Sequence, residues 1–420
     1  MIKNITLQPG ITLRCCTDTR FKTNCLSLQL VRPMCRREVS ANALISAVLL
    51  RGTEQYPDLR DITLHLDDLY GATVGSLVRR VGDYQTTGFY CSFTEDRYAL
   101  GGDKILEPVV DFLGQLLLQP KLENGVFDSS YVEGEKRNML SAMEAQKNDK
   151  RIYAASQLMK HMCALDSTGI PRLGEPEQVN CLEASGLYAH YRNILRESCI
   201  EVFYVGSQEP EKVAQLLNGI FRDVDRNYVN LPPQTPFRDG GKIRREETMD
   251  VTQGKLQMGF VTHSTLNTPD FVPMQVLNSV FGGGMTSKLF MNVREKMSLC
   301  YDISSSYQGS KGILTVGAGM DSHMAQTVED EILCQLEQCR LGNITDQELE
   351  SARQSLLSSL RSIPDSPGSI ENFYATGALS GLNLGIREYM EQVQQVTVPR
   401  LAELASCVQP HSVFLLKGVQ

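Results

Sequence analysis

Period-two alternation opens each half of this chain. Residues 23–31 and 255–261 alternate apolar with polar side chains, which predicts strands with one buried face. A compact apolar run at helical spacing follows each, over 41–50 and 274–281. Longer helical patterns then occupy 131–162 and 346–361. Each half closes the same way, with helical text followed by an apolar strand: residues 177–207 with a strand from Ser198, and residues 389–418 ending His-Ser-Val-Phe-Leu-Leu-Lys-Gly. Identity between the halves is faint, but the order of elements is preserved, which predicts a distant internal duplication. Strands mixed with runs of helices, without strict β-α alternation, read as an α+β fold. Residues 105–118 have apolar positions at helical spacing and stop before Pro120, so they are expected to form a core helix. Residues 361–369 form a turn-rich break.

Between the halves, residues 227–242 hold three prolines and two glycines, the composition of an extended linker. The expected organisation is an N-terminal domain over 1–226, a linker over 227–242 and a C-terminal domain over 243–420. The 420 residues are too many for one ordinary core, which agrees with two domains. A net charge of −8 argues against a nucleic-acid-binding surface and, if anything, favours a basic peptide ligand. The N-terminal text lacks the apolar core of a signal peptide, and no apolar run is long enough to span a bilayer. The twelve cysteines are scattered with no Cys-x-x-Cys, as expected for reduced thiols in a cytoplasmic protein.

Candidate chemistry concentrates at residues 281–301. Gly282, Gly283 and Gly284 are adjacent and allow close approach by another backbone. A helix is expected over 285–297, carrying Arg294, and Tyr301 begins strand-like text. Arg and Tyr both donate hydrogen bonds, a natural pair for holding a peptide carbonyl. The plainer alternatives are a helix-ending turn, a surface Arg beside Glu295 and Lys296, and a core Tyr. A phosphate loop is excluded, because Ser287 precedes Lys288 and Leu289 follows it. None of the six histidines stands at ligand spacing from another, so each is expected to be structural. No convincing nucleophile motif is present.

The run Phe-Gly-Gly-Gly-Met-Thr-Ser-Lys-Leu-Phe-Met-Asn-Val-Arg-Glu-Lys-Met-Ser-Leu-Cys-Tyr closely resembles the Gly-rich loop and Arg–Tyr pair in the C-terminal half of the insulinase, pitrilysin and mitochondrial processing peptidase family of zinc peptidases. That family holds zinc on His-x-x-Glu-His, just ahead of a Gly-Thr pair. Here Arg51-Gly52-Thr53 and Tyr56-Pro57 set the register, which places Ala43 and Ala47 at the two His positions and Ser46 at the Glu. Alanine has no donor atom for a metal, and serine is no base at neutral pH. Glu135 matches the family's third ligand, although an exposed helical carboxylate beside Lys136 and Arg137 is its plainer reading; the helper Glu falls at Ala142 or shifts to Glu144. No metal and no cofactor are therefore expected.

The resemblance covers essentially the whole chain. It implies duplicated, mainly antiparallel sheets backed by helices and closing as a clamshell. It also implies that Arg294 and Tyr301 anchor substrate and stabilise an oxyanion at the zinc site of a second, metal-bearing subunit, with a peptide or protein as substrate. Family members add substrate to an edge strand, whose counterpart is expected over 84–93. An alternative is a scaffold of the same fold, like the core proteins of the respiratory bc1 complex. An independent enzyme with an unrecognised site is least favoured, since no nucleophile–base pair is visible. A narrower resemblance, carried by Glu-Gly-Glu-Lys-Arg-Asn-Met-Leu from Glu133 and Asn-Asp-Lys-Arg-Ile-Tyr-Ala from Asn148, is to the bacterial insulinase-like type associated with aminopentanol modification of elongation factor P.

Overall fold

Two sheets organise the chain, and a computed structural model describes them over residues 2–418. The first has six strands in the spatial order Ile2–Gln8, Ile11–Thr17, Cys199–Gly206, Thr23–Pro33, Tyr84–Thr94, Thr73–Val81. The second has five, ordered Asp302–Gln308, Ile313–Met320, Gly254–Val261, Gln409–Gly418, Arg244–Met249. Read from opposite ends the two orders coincide, apart from the extra strand Ile2–Gln8. Each sheet also has a single parallel pair in the same place, Ile11–Thr17 with Cys199–Gly206 and Arg244–Met249 with Gln409–Gly418. The duplication expected from element order is therefore present in the topology, and the fold is α+β with mainly antiparallel sheets.

The alternation in Thr23–Pro33 is explained by its two faces. Leu26, Leu28 and Leu30 enter a core shared with Phe89, Phe93, Val202 and Tyr204 of neighbouring strands. Helices Val39–Leu49, Leu106–Leu118, Ala184–Glu197 and Pro210–Phe221 close that core through Leu44, Phe112, Ile194 and Leu217. The intervening Ser27 and Gln29 point to the other face of the sheet and are also buried.

Compact units do not follow the sequence in two simple blocks. One unit comprises Met1–Met143, Arg172–Pro233 and Pro364–Thr376; the other comprises Glu144–Pro171, Gln234–Ile363 and Gly377–Gln420. In the first, helix Pro367–Ser380 brings Ile370 against Cys25 and Val205 on the polar face of the sheet. In the second, helix Lys150–Met162 packs Ala154 and Leu158 against Phe414 and Leu416. Gly259 permits this approach, since a Cβ there would stand 2.4 Å from Met162 Sδ. Residues 224–243 carry no helix or strand.

Three expectations change. The long helical pattern over 131–162 is two helices, Ser129–Asn148 and Lys150–Met162, because Asp149 accepts the backbone N–H groups of Arg151 and Ile152 and caps the second. The helix expected over 285–297 is a π-helix confined to Leu289–Lys296. The segment over 84–93 is not an edge: Tyr84–Thr94 is paired on both sides, with Thr23–Pro33 and Thr73–Val81. The edge of that sheet is Thr73–Val81, whose Val78 carbonyl accepts a hydrogen bond from Arg172 NH1 at 2.6 Å. No helix of the described residues is long and apolar enough to cross a membrane.

Candidate functional site

Helix Val39–Leu49 is buried almost throughout, and Ala43 and Ser46 lie inside it at 2% and 1% exposure. Ser46 Oγ is 2.7 Å from Ser76 Oγ, so its hydroxyl is already engaged. Ala47 is half-buried and offers only a methyl group. Arg51 follows four residues after Ala47, and its guanidinium meets Glu135, with NH1 3.3 Å from Oε1. It also stands over the ring of Tyr131 at 5.3 Å. Glu135 is largely shielded from solvent, and its second oxygen accepts from Asn138 Nδ2. Its neighbour Lys136 turns elsewhere, donating to Glu133 and to the carbonyls of Asn180 and Leu182. The exposed-carboxylate reading of Glu135 is thus replaced by a shielded ion pair. These residues do not fit a zinc ion: two positions have no donor, one hydroxyl is taken, and the carboxylate already faces a cation. Among the described residues no three His, Cys, Asp or Glu side chains gather where they could hold a metal.

The Gly-rich segment serves packing first. It ends helix Phe271–Phe281, with the N–H groups of Gly282 and Gly283 both donating to the Asn278 carbonyl. A Cβ on Gly282 would stand 2.7 Å from Ser305 Oγ, and one on Gly283 would stand 2.9 Å from Ser279 Cα. The Gly282 carbonyl accepts the N–H of Ser305, capping the open edge of strand Asp302–Gln308. Gly284 differs, since a Cβ there would meet nothing within 4 Å. Lys288 is buried and donates to both oxygens of Glu348, which removes it from any phosphate chemistry.

Arg294 and Tyr301 do come together. They line one open cavity of about 470 Å³ with Glu295, Asp321, His323 and Met324. The π-helix positions Arg294, whose guanidinium lies 4.6 Å from the Phe290 ring centroid and pairs with Glu295 at 3.4 Å. Tyr301 is held by its N–H, which donates to the Gly319 carbonyl at 2.7 Å, while its ring is 52% exposed. The phenol donates to Asp321 Oδ1 at 3.0 Å, and this carboxylate holds its pKa above the usual tyrosine value. Asp321→Asn is expected to move the phenol pKa back down, readable by NMR of ring-labelled tyrosine; an unchanged titration would show that the Asp321 contact is absent in solution. Cys300 in the same cavity is no nucleophile at neutral pH, because burial pushes its thiol up to about 11.

Comparison with known proteins fits this geometry. Residues 182–356 match the family model described as "Peptidase M16 inactive domain". The chain is 27% identical over 414 residues to "Probable inactive metalloprotease YmfF" of Bacillus subtilis, covering 98% of this chain and 96% of that protein. The chain is similar to the M16 zinc peptidases, and the relative that it matches along nearly its whole length is named as inactive. A second Bacillus subtilis relative, "Uncharacterized zinc protease YmxG", is 22% identical over 75% of this chain and 76% of its own length. The crystal structure of a conserved protein from Enterococcus faecalis V583 superposes with a TM-score of 0.93 at 26% identity, covering 100% and 99% of the two chains.

Sequence reasoning missed three neighbours of the candidate residues: Arg51, Phe290 and Asp321. Only Arg51 left a signal, since it continues the four-residue spacing of Ala43 and Ala47. Its role sets a prediction. A variant carrying Ala43→His, Ser46→Glu and Ala47→His is expected to hold zinc weakly while Arg51 occupies Glu135. Adding Arg51→Leu should tighten zinc binding by roughly 10–100-fold, as for other contacts behind a metal ligand. Competition titration against a chromophoric chelator reads both, and equal affinities would reject Glu135 as the third ligand position.

Proposed function

We propose that this chain is the substrate-handling subunit of a heterodimeric zinc peptidase of the cytoplasm, supplying Arg294 and Tyr301 to the active site of a metal-bearing partner. One observation carries the reading. The two side chains stand in the same open cavity, each held by contacts that are easily exchanged. Arg294 is 39% exposed and its pairing with Glu295 is a surface ion pair, a class worth about 0–1 kcal/mol. The Tyr301 phenol is equally free to leave Asp321 for a substrate carbonyl. Planar guanidinium N–H groups and a phenolic O–H suit a peptide backbone and the oxyanion that forms when its carbonyl is attacked. Ala43, Ser46 and Ala47 at the metal-binding positions support the same division of labour, because the metal and the water-activating base then come from the other subunit.

The test is reconstitution. The full-length chain and an M16 relative carrying His-x-x-Glu-His are assayed on a quenched peptide library, separately and mixed. The expected result is cleavage by the mixture well above that of either protein. Cleavage by this chain alone, or a mixture no faster than the metal-bearing protein by itself, would reject the proposal.

A further inference from the structure

A cavity of about 1000 Å³ lies in the unit that contains the first sheet, and it shares no residue with the Arg294 cavity. Its walls are the last turns of helices Leu106–Leu118, Ala184–Glu197 and Pro210–Phe221. Half-buried apolar side chains line its floor, including Leu118, Leu122, Tyr188, Leu216 and Ile220. Six charged side chains stand around it: Glu54, Asp111, Asp223 and Asp225 against Arg192 and Arg196. All six are exposed, and among the described residues none makes an ion pair or hydrogen bond through its side chain.

The balance is negative. Four carboxylates outnumber two guanidiniums, and three helices present their carbonyl ends, which carry partial negative charge. Arg226 answers only part of this, donating to the carbonyls of Leu195 and Ser198. Gln115, in the wall, keeps a shielded Oε1 with no hydrogen-bond partner. Partial desolvation by the groove wall, reinforced by Glu107, raises the pKa of the Asp111 carboxyl, so a nearby cation would relieve it.

We propose that this groove docks a peptide segment of a partner protein in which lysine or arginine side chains are interspersed with apolar ones. The apolar side chains cover the leucine and tyrosine floor, and the basic ones reach the unpaired carboxylates. Charge complementarity selects this occupant. An acidic segment meets like charge, a free amine leaves the floor wet, and a second copy of this chain brings a net charge of −8 to a negative groove.

Gly219 provides a clean block. It lines the groove within helix Pro210–Phe221, and a Cβ there would meet nothing within 4 Å. Gly219→Leu therefore places a side chain in the open space of the groove and improves helix propensity. The probe is a fluorescein-labelled peptide of lysine and leucine at helical spacing, followed by anisotropy with the full-length chain. Gly219→Leu is expected to weaken binding about tenfold or more, with a thermal melt at or above that of the parent. Asp223→Asn combined with Asp225→Asn, both exposed and safe for folding, should also weaken binding and flatten its salt dependence. A matched peptide of glutamate and leucine should not bind. The proposal is overturned by unchanged binding in both variants, by a lysine-only peptide binding equally well, or by self-association that Gly219→Leu abolishes.

Discussion

Arg294→Ala in the reconstituted pair is expected to lower kcat/KM by about 100–1000-fold, the usual loss when one preorganised donor to an oxyanion is removed. The effect should fall on kcat more than on KM, because the interaction strengthens as the carbonyl oxygen gains charge. The Arg294 side chain is partly exposed and, among the described residues, its recorded side-chain contacts are with Phe290 and Glu295, so its loss should leave the stability of the free chain nearly unchanged. Arg294→Lys should recover only part of the rate, since an ammonium is a point charge without the planar fork. Tyr301→Phe removes one hydroxyl and should cost about tenfold, the worth of one hydrogen bond. Steady-state kinetics on one fluorogenic peptide separate these cases. Full activity in the Arg294→Ala mixture would exclude a donated pair and leave these residues with a role on this chain's own surface.

The second large effect concerns Glu371. Its carboxylate is fully buried on the polar face of the first sheet and accepts four hydrogen bonds: from Ser27 Oγ, from Gln29 Nε2 and from both terminal nitrogens of Arg79. Glu371→Ala leaves Arg79 and two buried polar groups without that partner. The expected cost is roughly 3 kcal/mol, the low end for breaking a buried pair, because Arg79 retains some access to water. Hydrogen exchange should show the loss as reduced protection over residues 367–376, accompanied by a lower urea midpoint. Glu371→Leu with Arg79→Met should recover much of the loss, since no charge is then stranded. Equal exchange in wild type and Glu371→Ala would mean that the ion pair does not hold this helix.

Strand positions were legible because an apolar face alternating with a polar one imposes period two, although both faces of Thr23–Pro33 and Gly254–Val261 are largely buried. The edge was not. Which of Thr73–Val81 and Tyr84–Thr94 lies outside is settled only when Tyr84–Thr94 pairs with Thr23–Pro33. The π-helix escaped for a related reason. Its i→i+5 bond from the Met297 N–H to the Asn292 carbonyl shifts helical spacing too little to read across eight residues. At the candidate site, Gly282, Arg294 and Tyr301 were found through motif text. Arg51 and Glu135 were not seen as partners, since 84 residues separate them and each looks like an ordinary surface charge in its own stretch of sequence. Amphipathic helices such as Lys150–Met162 advertise an apolar face but not the sheet that it will cover.

That last ambiguity has a consequence for biosynthesis. The first unit includes Pro364–Thr376, so its sheet stays uncovered on one side until that distant segment has left the ribosome. The second unit needs both Glu144–Pro171 and the strand Gln409–Gly418, which is made long after it. Neither unit can mature before its later segment emerges, which exposes the nascent chain to chaperones and to mispairing through much of synthesis.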